Sequence, residues 1–410
     1  GAVRTKFWHA AAAAGVLQSV IGKMSVSAQR IGIVGASGAV GEEIVKVLDA
    51  KKDVMKIENV RLFASARSAG KKVQAGGFGE IEVEEFTLDK MASLDIVFLA
   101  VSGTFALENG RKIAAMGPLV IDNSSAFRYD DDIPLVIPEI NGHVTKGARL
   151  IANPNCTTAV AAMALWPIHQ RFGIQKLIVS TYQAASGAGA EGMSELETQA
   201  KSFVKGEKLN SSVFQYPLMF NVIPHIDAFQ ANGFTKEEMK VTWETRKIFD
   251  EPSIDVSCTA VRVPTLRAHA EALTIETALP ISPEDAKALI KSATGVELVD
   301  DPSGKAYPMP INASTKYDVE AGRIRQSLVF GRNGLDLFVC GDQLLRGAAL
   351  NAVLIAEFMV RGDYTTPKKF AVSPVAKLLS TKVELSHALL IGGLLTAVAT
   401  CVTTSMFRKA

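Results

Sequence analysis

The sequence lacks several features that would assign a chain to a common functional class. Its 44 basic and 42 acidic residues leave a formal charge of only +2, so no excess of one sign draws the chain to nucleic acid. The four cysteines, at positions 156, 258, 340 and 401, form no Cys-x-x-Cys pair and have no histidine at zinc-ligand spacing. We therefore expect a reducing compartment, no metal, and a small charged metabolite as the binding partner.

Acidic residues are also absent from the first 41 positions, where Arg4, Lys6 and Lys23 interrupt an alanine-rich stretch. This composition is typical of an organelle transit segment. The alternative is a non-native extension ahead of a start at Met24, and we favour targeting over it. Residues 1–29 are accordingly predicted to be an extension that precedes the folded chain.

One long hydrophobic run lies near the other end of the chain. It extends from Leu385 to Phe407 without a formal charge and is closed by Arg408 and Lys409. As a helix it would measure about 34 Å, against a hydrocarbon core of about 30 Å. The alternative is a buried or subunit-contact helix, because His387 and several hydroxyl residues make the run less apolar. We predict a transmembrane helix at 385–407, preceded by a linker at 367–384.

A glycine-rich turn follows the first predicted strand, and its glycines stand at positions 35, 38 and 41. Such a turn can bring backbone N–H groups close to a pyrophosphate at the N-terminus of the next helix. On its own this G-x-x-G-x-x-G spacing is weak evidence, because a glycine turn also permits tight packing. Ser65, Arg67 and Ser68 follow the second predicted strand, where a guanidinium and two hydroxyls suit a 2′-phosphate. The pattern favours NADP over NAD.

The apolar runs predict an α/β fold with two domains. Over residues 30–155, strands alternate with helices, as in a Rossmann-like, doubly wound, mainly parallel sheet. Over 156–345, alternating and β-branched runs predict an α+β catalytic and dimerisation domain with a broad, mostly antiparallel sheet. Residues 346–366 are predicted to form a helix that returns to the first domain, followed by the extra apolar C-terminal helix.

Cys156 is the candidate nucleophile, because it stands between the polar segment NPN and a long helical run. The positive end of a helix lowers a thiol pKa and favours the thiolate. By contrast, Cys258 and Cys340 lie inside strand-like runs and are predicted to be core residues. Among the six histidines, His269 is the best proton-transfer candidate, since it follows Arg262 by seven positions. Spacing alone still favours a structural role for this histidine.

From about residue 30 to residue 362 the sequence resembles the aspartate-β-semialdehyde dehydrogenase family. The resemblance is carried, in order, by the motifs GASGAVG, ASARSAGK, DNSSAFR, NPNCTT, VSTYQAASGAG, EEMK, RVPTLRAHAE and GDQLLRGAALNAVLIAE. It implies NADPH-dependent conversion of L-4-aspartyl phosphate to L-aspartate 4-semialdehyde through a Cys156 thioester, in lysine, threonine, methionine and isoleucine biosynthesis. It also implies a homodimer or homotetramer.

The resemblance further implies roles for individual residues. The implied catalytic residues are Cys156 as nucleophile, His269 as acid and base, and Gln183, which orients the substrate. The implied substrate-binding residues are Arg262 for the α-carboxylate, Glu237 for the amino group, Arg128 and Lys240 for the phosphate, and Asn155 for the phosphate or acyl pocket. The expected NADP contacts are Gly35, Ser37, Gly38, Ala39, Val40, Gly41, Ser65, Arg67, Ser68, Ser186, Gly187 and Gln343.

Two alternatives stay open. N-acetyl-γ-glutamyl-phosphate reductase shares this fold and chemistry, but NPNCTT and the segment 237–240 favour the aspartyl substrate. The chain could instead be a membrane-anchored accessory or structural subunit of an organellar complex, although all the expected catalytic residues are present. The terminal extensions have no counterpart in the family. Because eukaryotic relatives are typically plastid proteins, a plastid is favoured over a mitochondrion as the location.

Overall fold

The computed structural model describes residues 28–362 and residue 364. The predicted linker and the predicted transmembrane helix at 385–407 lie outside this range, as does nearly all of the predicted N-terminal extension. Within the described part of the chain, no helix is long and apolar enough to cross a bilayer. The membrane prediction therefore stays a prediction.

Thirteen strands are described. They are β1 Gln29–Val34, β2 Ile57–Ala64, β3 Lys72–Gln74, β4 Glu80–Glu85, β5 Ile96–Leu99, β6 Leu119–Asp122, β7 Leu150–Ala152, β8 Ile174–Gln183, β9 Asp255–Arg262, β10 His269–Thr277, β11 Val296–Leu298, β12 Val319–Gln326 and β13 Gly334–Gly341.

Eleven α-helices connect and cover these strands in the described range. They are α1 Ala39–Ala50, α2 Lys52–Met55, α3 Leu88–Met91, α4 Gly103–Ala115, α5 Pro138–Asn141, α6 Cys156–Phe172, α7 Gly189–Val204, α8 Lys236–Phe249, α9 Pro283–Ser292, α10 Pro310–Ala313 and α11 Leu350–Arg361. A π-helical turn, Leu345–Ala349, leads directly into α11.

The first sheet has seven strands in the order β3-β4-β2-β1-β5-β6-β7, and all neighbours are parallel except the edge pair β3 and β4. Strands β5 and β6 are apolar and buried along almost their whole length, as expected for parallel strands covered on both faces. Helix α11 packs on this sheet, where Leu350 and Val353 share a core with Ile31 and Ile44. The α/β prediction is confirmed.

The second sheet has six strands in the order β11-β12-β13-β10-β8-β9. Its central pairings, β12 with β13, β13 with β10 and β10 with β8, are antiparallel. The outer pairings, β8 with β9 and β11 with β12, are parallel. The sheet is therefore more mixed than the predicted broad, mostly antiparallel one. The physical reason is that long connections, such as the one that holds α7 and α8 between β8 and β9, allow a strand to return in the same direction.

Helix α6 is buried along most of its length and shares one core with strands of both sheets. Its small residues, including Ala159, Ala161 and Ala164, allow close approach on every side. Gly347 lies directly against the first residue of α6, because a Cβ added to it would be 2.5 Å from the Cβ of Cys156. The fold thus places Cys156 at the junction between the two sheets.

Substituting Gly41 and Gly38 tests which glycine of the turn is needed for packing. An added Cβ on Gly41 would lie 2.4 Å from the Gly35 carbonyl oxygen and 2.7 Å from the Ala36 Cα, whereas Gly38 has only the Gly35 oxygen at 3.5 Å. We expect Gly41→Ala to lower the free energy of unfolding by about 1–3 kcal/mol, because backbone atoms must move. Gly38→Ala should lower it less, because only the preference for glycine at the N-cap is lost. Urea unfolding of both variants tests this, and equal stability would contradict it.

Candidate active site

Cys156 begins α6 shortly after β7 ends, at the carboxyl edge of the first sheet. The preceding residue, Asn155, caps the helix, since its Oδ1 accepts hydrogen bonds from the backbone N–H groups of Thr157 (3.0 Å) and Thr158 (3.2 Å). The cap satisfies two donors that a helix start would otherwise leave free. It also fixes the backbone on both sides of the sulfur.

A carboxylate that sequence analysis missed holds this segment. Glu244, on α8, is fully buried, and it accepts hydrogen bonds from the Asn155 backbone N–H at 2.6 Å and from Arg128 Nη1 at 3.0 Å. The other nitrogens of Arg128 donate to the carbonyl oxygens of Asn153 and Asn123. Arg128, predicted to bind phosphate, is thus also a structural cation. The sequence feature that could have identified Glu244 is its position as an acidic residue on the apolar face of α8, two turns after Glu237.

Glu237 is the second buried carboxylate of the site. Its Oε1 accepts from Asn155 Nδ2 at 3.0 Å and from Gln183 Nε2 at 3.2 Å, and its Oε2 accepts from Lys240 Nζ at 2.9 Å. Lys240 also binds Asp227, at 2.8 Å, a residue that sequence analysis did not select. Burial pushes the pKa of Glu237 upward, but Lys240 and the amide donors outweigh it and hold the pKa below its usual value. Glu237 is therefore anionic at neutral pH.

Three predicted residues meet where strands β8, β9 and β10 adjoin. Because β8 lies between the other two, Gln183, Arg262 and His269 come to one edge of the second sheet. The Gln183 Nε2 and His269 Nε2 atoms are 3.4 Å apart, and Arg262 Nη1 donates to the Ala184 carbonyl oxygen at 2.7 Å. Gly187 faces them, since an added Cβ would lie 2.6 Å from Arg262 Nη1 and 3.3 Å from His269 Nε2. A larger residue at this position would have to displace the Arg262 guanidinium.

The imidazole of His269 is neutral in this environment. Burial, assisted by the charge of Arg262 and opposed by Glu237, lowers the pKa of His269 to about 3. The backbone N–H of Ala184 donates to Nδ1 at 3.1 Å, so the neutral ring carries its proton on Nε2. The Nε2 atom of His269 lies next to the side-chain amide nitrogen of Gln183.

The thiol of Cys156 is protonated in this environment, contrary to the expectation that the helix end would favour a thiolate. Burial and the nearby Glu237 carboxylate raise the pKa of Cys156 to about 12, against the opposing charges of Arg128 and Lys240. The physical reason is that enclosure by protein penalises a bare anion more than the helix N-terminus stabilises it. The thiol therefore needs activation when substrate arrives.

The glycine turn borders a cavity of about 730 Å³ at the carboxyl ends of β1 and β2. Of the predicted contacts, Gly35, Ser37, Ser65, Arg67 and Ser68 line it. Gly38 is the N-cap of α1, while Ala39, Val40 and Gly41 form its first turn. The lack of a side chain at Gly38, whose added Cβ would meet only the Gly35 oxygen at 3.5 Å, and the donors of the helix start fit a dinucleotide pyrophosphate. Glu85, which the sequence analysis did not select, also lines the cavity.

The remaining predicted cofactor contacts lie on the second-sheet side. Gln343 Nε2 donates to Ser186 Oγ, and Gln343 Oε1 accepts from the backbone N–H of Ala268 at 2.8 Å. Ser186 and Gly187 belong to the same short 3₁₀ turn, Ala185–Ala188. In the described residues, no group of three or more His, Cys, Asp or Glu side chains could hold a metal ion.

Comparisons with known proteins agree with this geometry. The family model for the semialdehyde dehydrogenase NAD binding domain matches residues 30–148, and that for the dimerisation domain matches residues 165–346. Aspartate-semialdehyde dehydrogenase from Synechocystis sp. is 42% identical over 332 residues, which cover 81% of this chain and 97% of that protein. The Aquifex aeolicus protein of the same name is 41% identical and is 98% covered. The chain belongs to the aspartate-semialdehyde dehydrogenase family. The predicted resemblance is confirmed.

Solved structures of aspartate-semialdehyde dehydrogenases share the fold. The Vibrio cholerae enzyme II, crystallised in complex with ASA, superposes with a TM-score of 0.78 at 38% identity, covering 83% of this chain and 100% of that one. The Candida albicans enzyme, crystallised with NADP, gives a TM-score of 0.64 at 25% identity, covering 83% and 100%. These relatives and structures carry this enzyme name, so the two alternative functions are not favoured.

The raised pKa of the Cys156 thiol leads to a prediction about its alkylation. In the ligand-free enzyme, the rate at which iodoacetamide modifies Cys156 should rise about tenfold per pH unit from about pH 7 to pH 10, because only the thiolate reacts. Glu237→Gln removes a charge that raises the pKa, so it should react faster at pH 8, whereas exposed Glu42→Gln should not. Mass spectrometry of the Cys156 peptide measures the rates. A plateau below pH 8 would contradict this account.

Proposed function

We propose that the chain reduces L-4-aspartyl phosphate to L-aspartate 4-semialdehyde with NADPH, through a thioester on Cys156. One observation carries the proposal: the charges of Glu237 and Arg262 act on both the thiol of Cys156 and the imidazole of His269, so the four groups share one site. The Vibrio cholerae relative complexed with ASA and the Candida albicans relative with NADP support the choice of substrate and coenzyme.

The charges of the site complement an amino acid. Glu237 would bind the α-ammonium group, and Arg262 would bind the α-carboxylate through two parallel hydrogen bonds. Both contacts would also shift the pKa values of the reactive groups. An ammonium group beside Glu237 offsets the charge that raises the pKa of Cys156, and a carboxylate on Arg262 offsets the charge that lowers the pKa of His269. The substrate thus moves the thiol towards its reactive thiolate.

The first chemical step forms the thioester. The Cys156 S–H bond breaks and the sulfur attacks the acyl carbon. The carbon–sulfur bond forms, the carbon–oxygen bond to phosphate breaks, and the phosphate leaves with the thiol proton. Arg128 and Lys240 would offset the charge of the leaving phosphate. Both cations lower the pKa of Cys156, so they lie within electrostatic reach of the sulfur. Asn155, whose side chain donates to Glu237, would line the acyl pocket.

The second step converts the thioester to the aldehyde. NADPH, when bound, supplies the hydride. His269 would donate its Nε2 proton in a hydrogen bond to the acyl oxygen as that oxygen gains charge, and the neutral ring suits this role. Gln183, which bonds Glu237 and lies beside His269, would orient the acyl group. The carbon–sulfur bond then breaks, the aldehyde leaves, and the sulfur takes a proton from solvent to become the thiol again.

For the coenzyme, we propose NADP rather than NAD. Arg67, Ser65 and Ser68 line one cavity with Ser37, and a guanidinium there suits the 2′-phosphate. Gly35, Gly38, Ala39, Val40 and Gly41 would approach the pyrophosphate from the turn and the first turn of α1. Ser186, Gly187 and Gln343 would adjoin the nicotinamide from the second-sheet side.

We also propose a homo-oligomer, dimer or tetramer, in line with the matched dimerisation domain. Ile178 and Tyr182 are 46% and 40% exposed on β8 of the second sheet, and apolar side chains of this size suit a subunit contact. Attachment to a membrane by residues 385–407 and location in an organelle, with a plastid favoured, rest on the sequence alone.

Assay of the purified chain tests the proposed activity. With aspartate semialdehyde and phosphate, we expect phosphate-dependent reduction of NADP, faster than that of NAD, followed by the absorbance of NADPH. Cys156→Ala should abolish turnover because no other nucleophile replaces the sulfur, whereas Cys258→Ala, at a buried position in β9, should retain it. No turnover by the unaltered chain, or preference for N-acetylglutamyl phosphate in the reverse assay, would contradict the proposal.

A further inference from the structure

Arg267 joins the coenzyme side of the molecule to the catalytic side. Its Nη1 donates to Glu43 Oε1 at 3.0 Å, and its Nε donates to Asp342 Oδ2 at 2.6 Å. Glu43 belongs to α1, the helix that follows the glycine turn. Asp342 directly precedes Gln343, and Arg267 itself lies two residues before His269. One guanidinium therefore links the glycine-turn helix to the two segments that place the imidazole and Gln343.

The linkage is held firmly at each end. Asp342 is fully buried and also accepts backbone hydrogen bonds from Thr315 at 2.6 Å and Leu344 at 3.0 Å. Burial works to raise the pKa of Glu43, but hydrogen bonds from Arg267 and Lys46 outweigh it and lower the pKa below its usual value. Both carboxylates are thus fixed, and the Arg267 side chain is 21% exposed. The bridge therefore differs from a solvent-exposed ion pair, which contributes little to the stability of a fold.

Between Arg267 and His269 stands Ala268, which has a φ of +67° and is fully buried. A residue with a side chain adopts this left-handed conformation only when its surroundings enforce it. The backbone N–H of Ala268 is held by Gln343 Oε1 at 2.8 Å, and the preceding residue is anchored by Asp342 and Glu43. The direction in which His269 leaves this turn therefore depends on the Arg267 anchor.

We propose that Arg267 is a positioning residue for hydride transfer, acting through the ion-pair bridge Glu43–Arg267–Asp342. The bridge fixes the distance between helix α1, where the dinucleotide would sit, and the His269 imidazole. Hydride transfer needs donor and acceptor aligned to a fraction of an ångström, and a displacement of about 1 Å can cost on the order of 10²-fold in rate. The inference rests on the proposed function, since it concerns the hydride step of that reaction.

Two variants break the bridge in different ways. Arg267→Met removes the cation and keeps a long side chain, and Glu43→Gln removes one charge while keeping its shape. The matched control is Lys46→Met, because Lys46 is the other partner of Glu43 and its side chain is 67% exposed. In both bridge variants we expect kcat to fall about 10- to 100-fold, with the KM for aspartate semialdehyde changed by less than about threefold. The control should behave as the unaltered enzyme.

Two further readouts separate positioning from loss of folded protein. With NADPH deuterated at the transferred position, the isotope effect on kcat in the reductive direction should rise in the bridge variants, because hydride transfer becomes rate-limiting. A smaller folded fraction would lower kcat and leave the isotope effect unchanged. The dissociation constant for NADPH, measured by fluorescence titration without substrate, should stay within about threefold, since the bridge touches no residue of the glycine turn.

If Glu43 and Arg267 act as one unit, the double variant should be no slower than Arg267→Met alone. Glu43→Gln keeps the test available even where Arg267→Met does not fold. The inference is overturned if Glu43→Gln keeps normal kcat, or if its loss of kcat comes with an unchanged isotope effect. An unaltered enzyme without turnover would refute the proposed function itself, whereas normal turnover with unaffected bridge variants refutes this inference alone.

Discussion

The active site depends on the hydrogen bonds that the buried carboxylate of Glu244 accepts. This carboxylate binds the backbone ahead of Cys156 and the guanidinium of Arg128, so one side chain on α8 secures the end of the first sheet and the start of α6. Burial raises the pKa of Glu244, and the two donors oppose that effect. A buried ion pair of this kind adds little to stability by itself, but removal of one partner leaves an uncompensated group. Its role here is to hold the backbone next to Cys156, and with it the sulfur, in place.

Without substrate, the Cys156 thiol and the His269 imidazole are both neutral. The thiol is held protonated by burial and Glu237, and the imidazole is held neutral by burial and Arg262. The ammonium group of a bound amino acid would offset the charge of Glu237 that acts on the thiol. Its carboxylate would offset the charge of Arg262 that acts on the imidazole. The carboxylate that would recognise the substrate ammonium group would therefore also prepare the nucleophile, so that recognition and activation are coupled.

Much of this arrangement could be predicted from sequence, and the exceptions have a common physical cause. The α/β fold, the family and the meeting of Gln183, Arg262 and His269 follow from local patterns and the resemblance. Glu244, Asp227 and Arg267 were not found, because their importance lies in partners far along the chain. The thiol pKa was predicted in the wrong direction, since a helix start is visible in sequence and enclosure is not. The parallel outer pairs of the second sheet depend on long-range pairing for the same reason.

Trapping the acyl intermediate tests the central claim, that Cys156 carries the acyl group, most directly. The enzyme would be mixed with L-4-aspartyl phosphate in the absence of reduced coenzyme, quenched in acid and digested. The account predicts one aspartyl group on the peptide that contains Cys156, released by hydroxylamine as a thioester would be. Release of phosphate without any adduct, or an adduct on Cys258 or Cys340 instead, would contradict it.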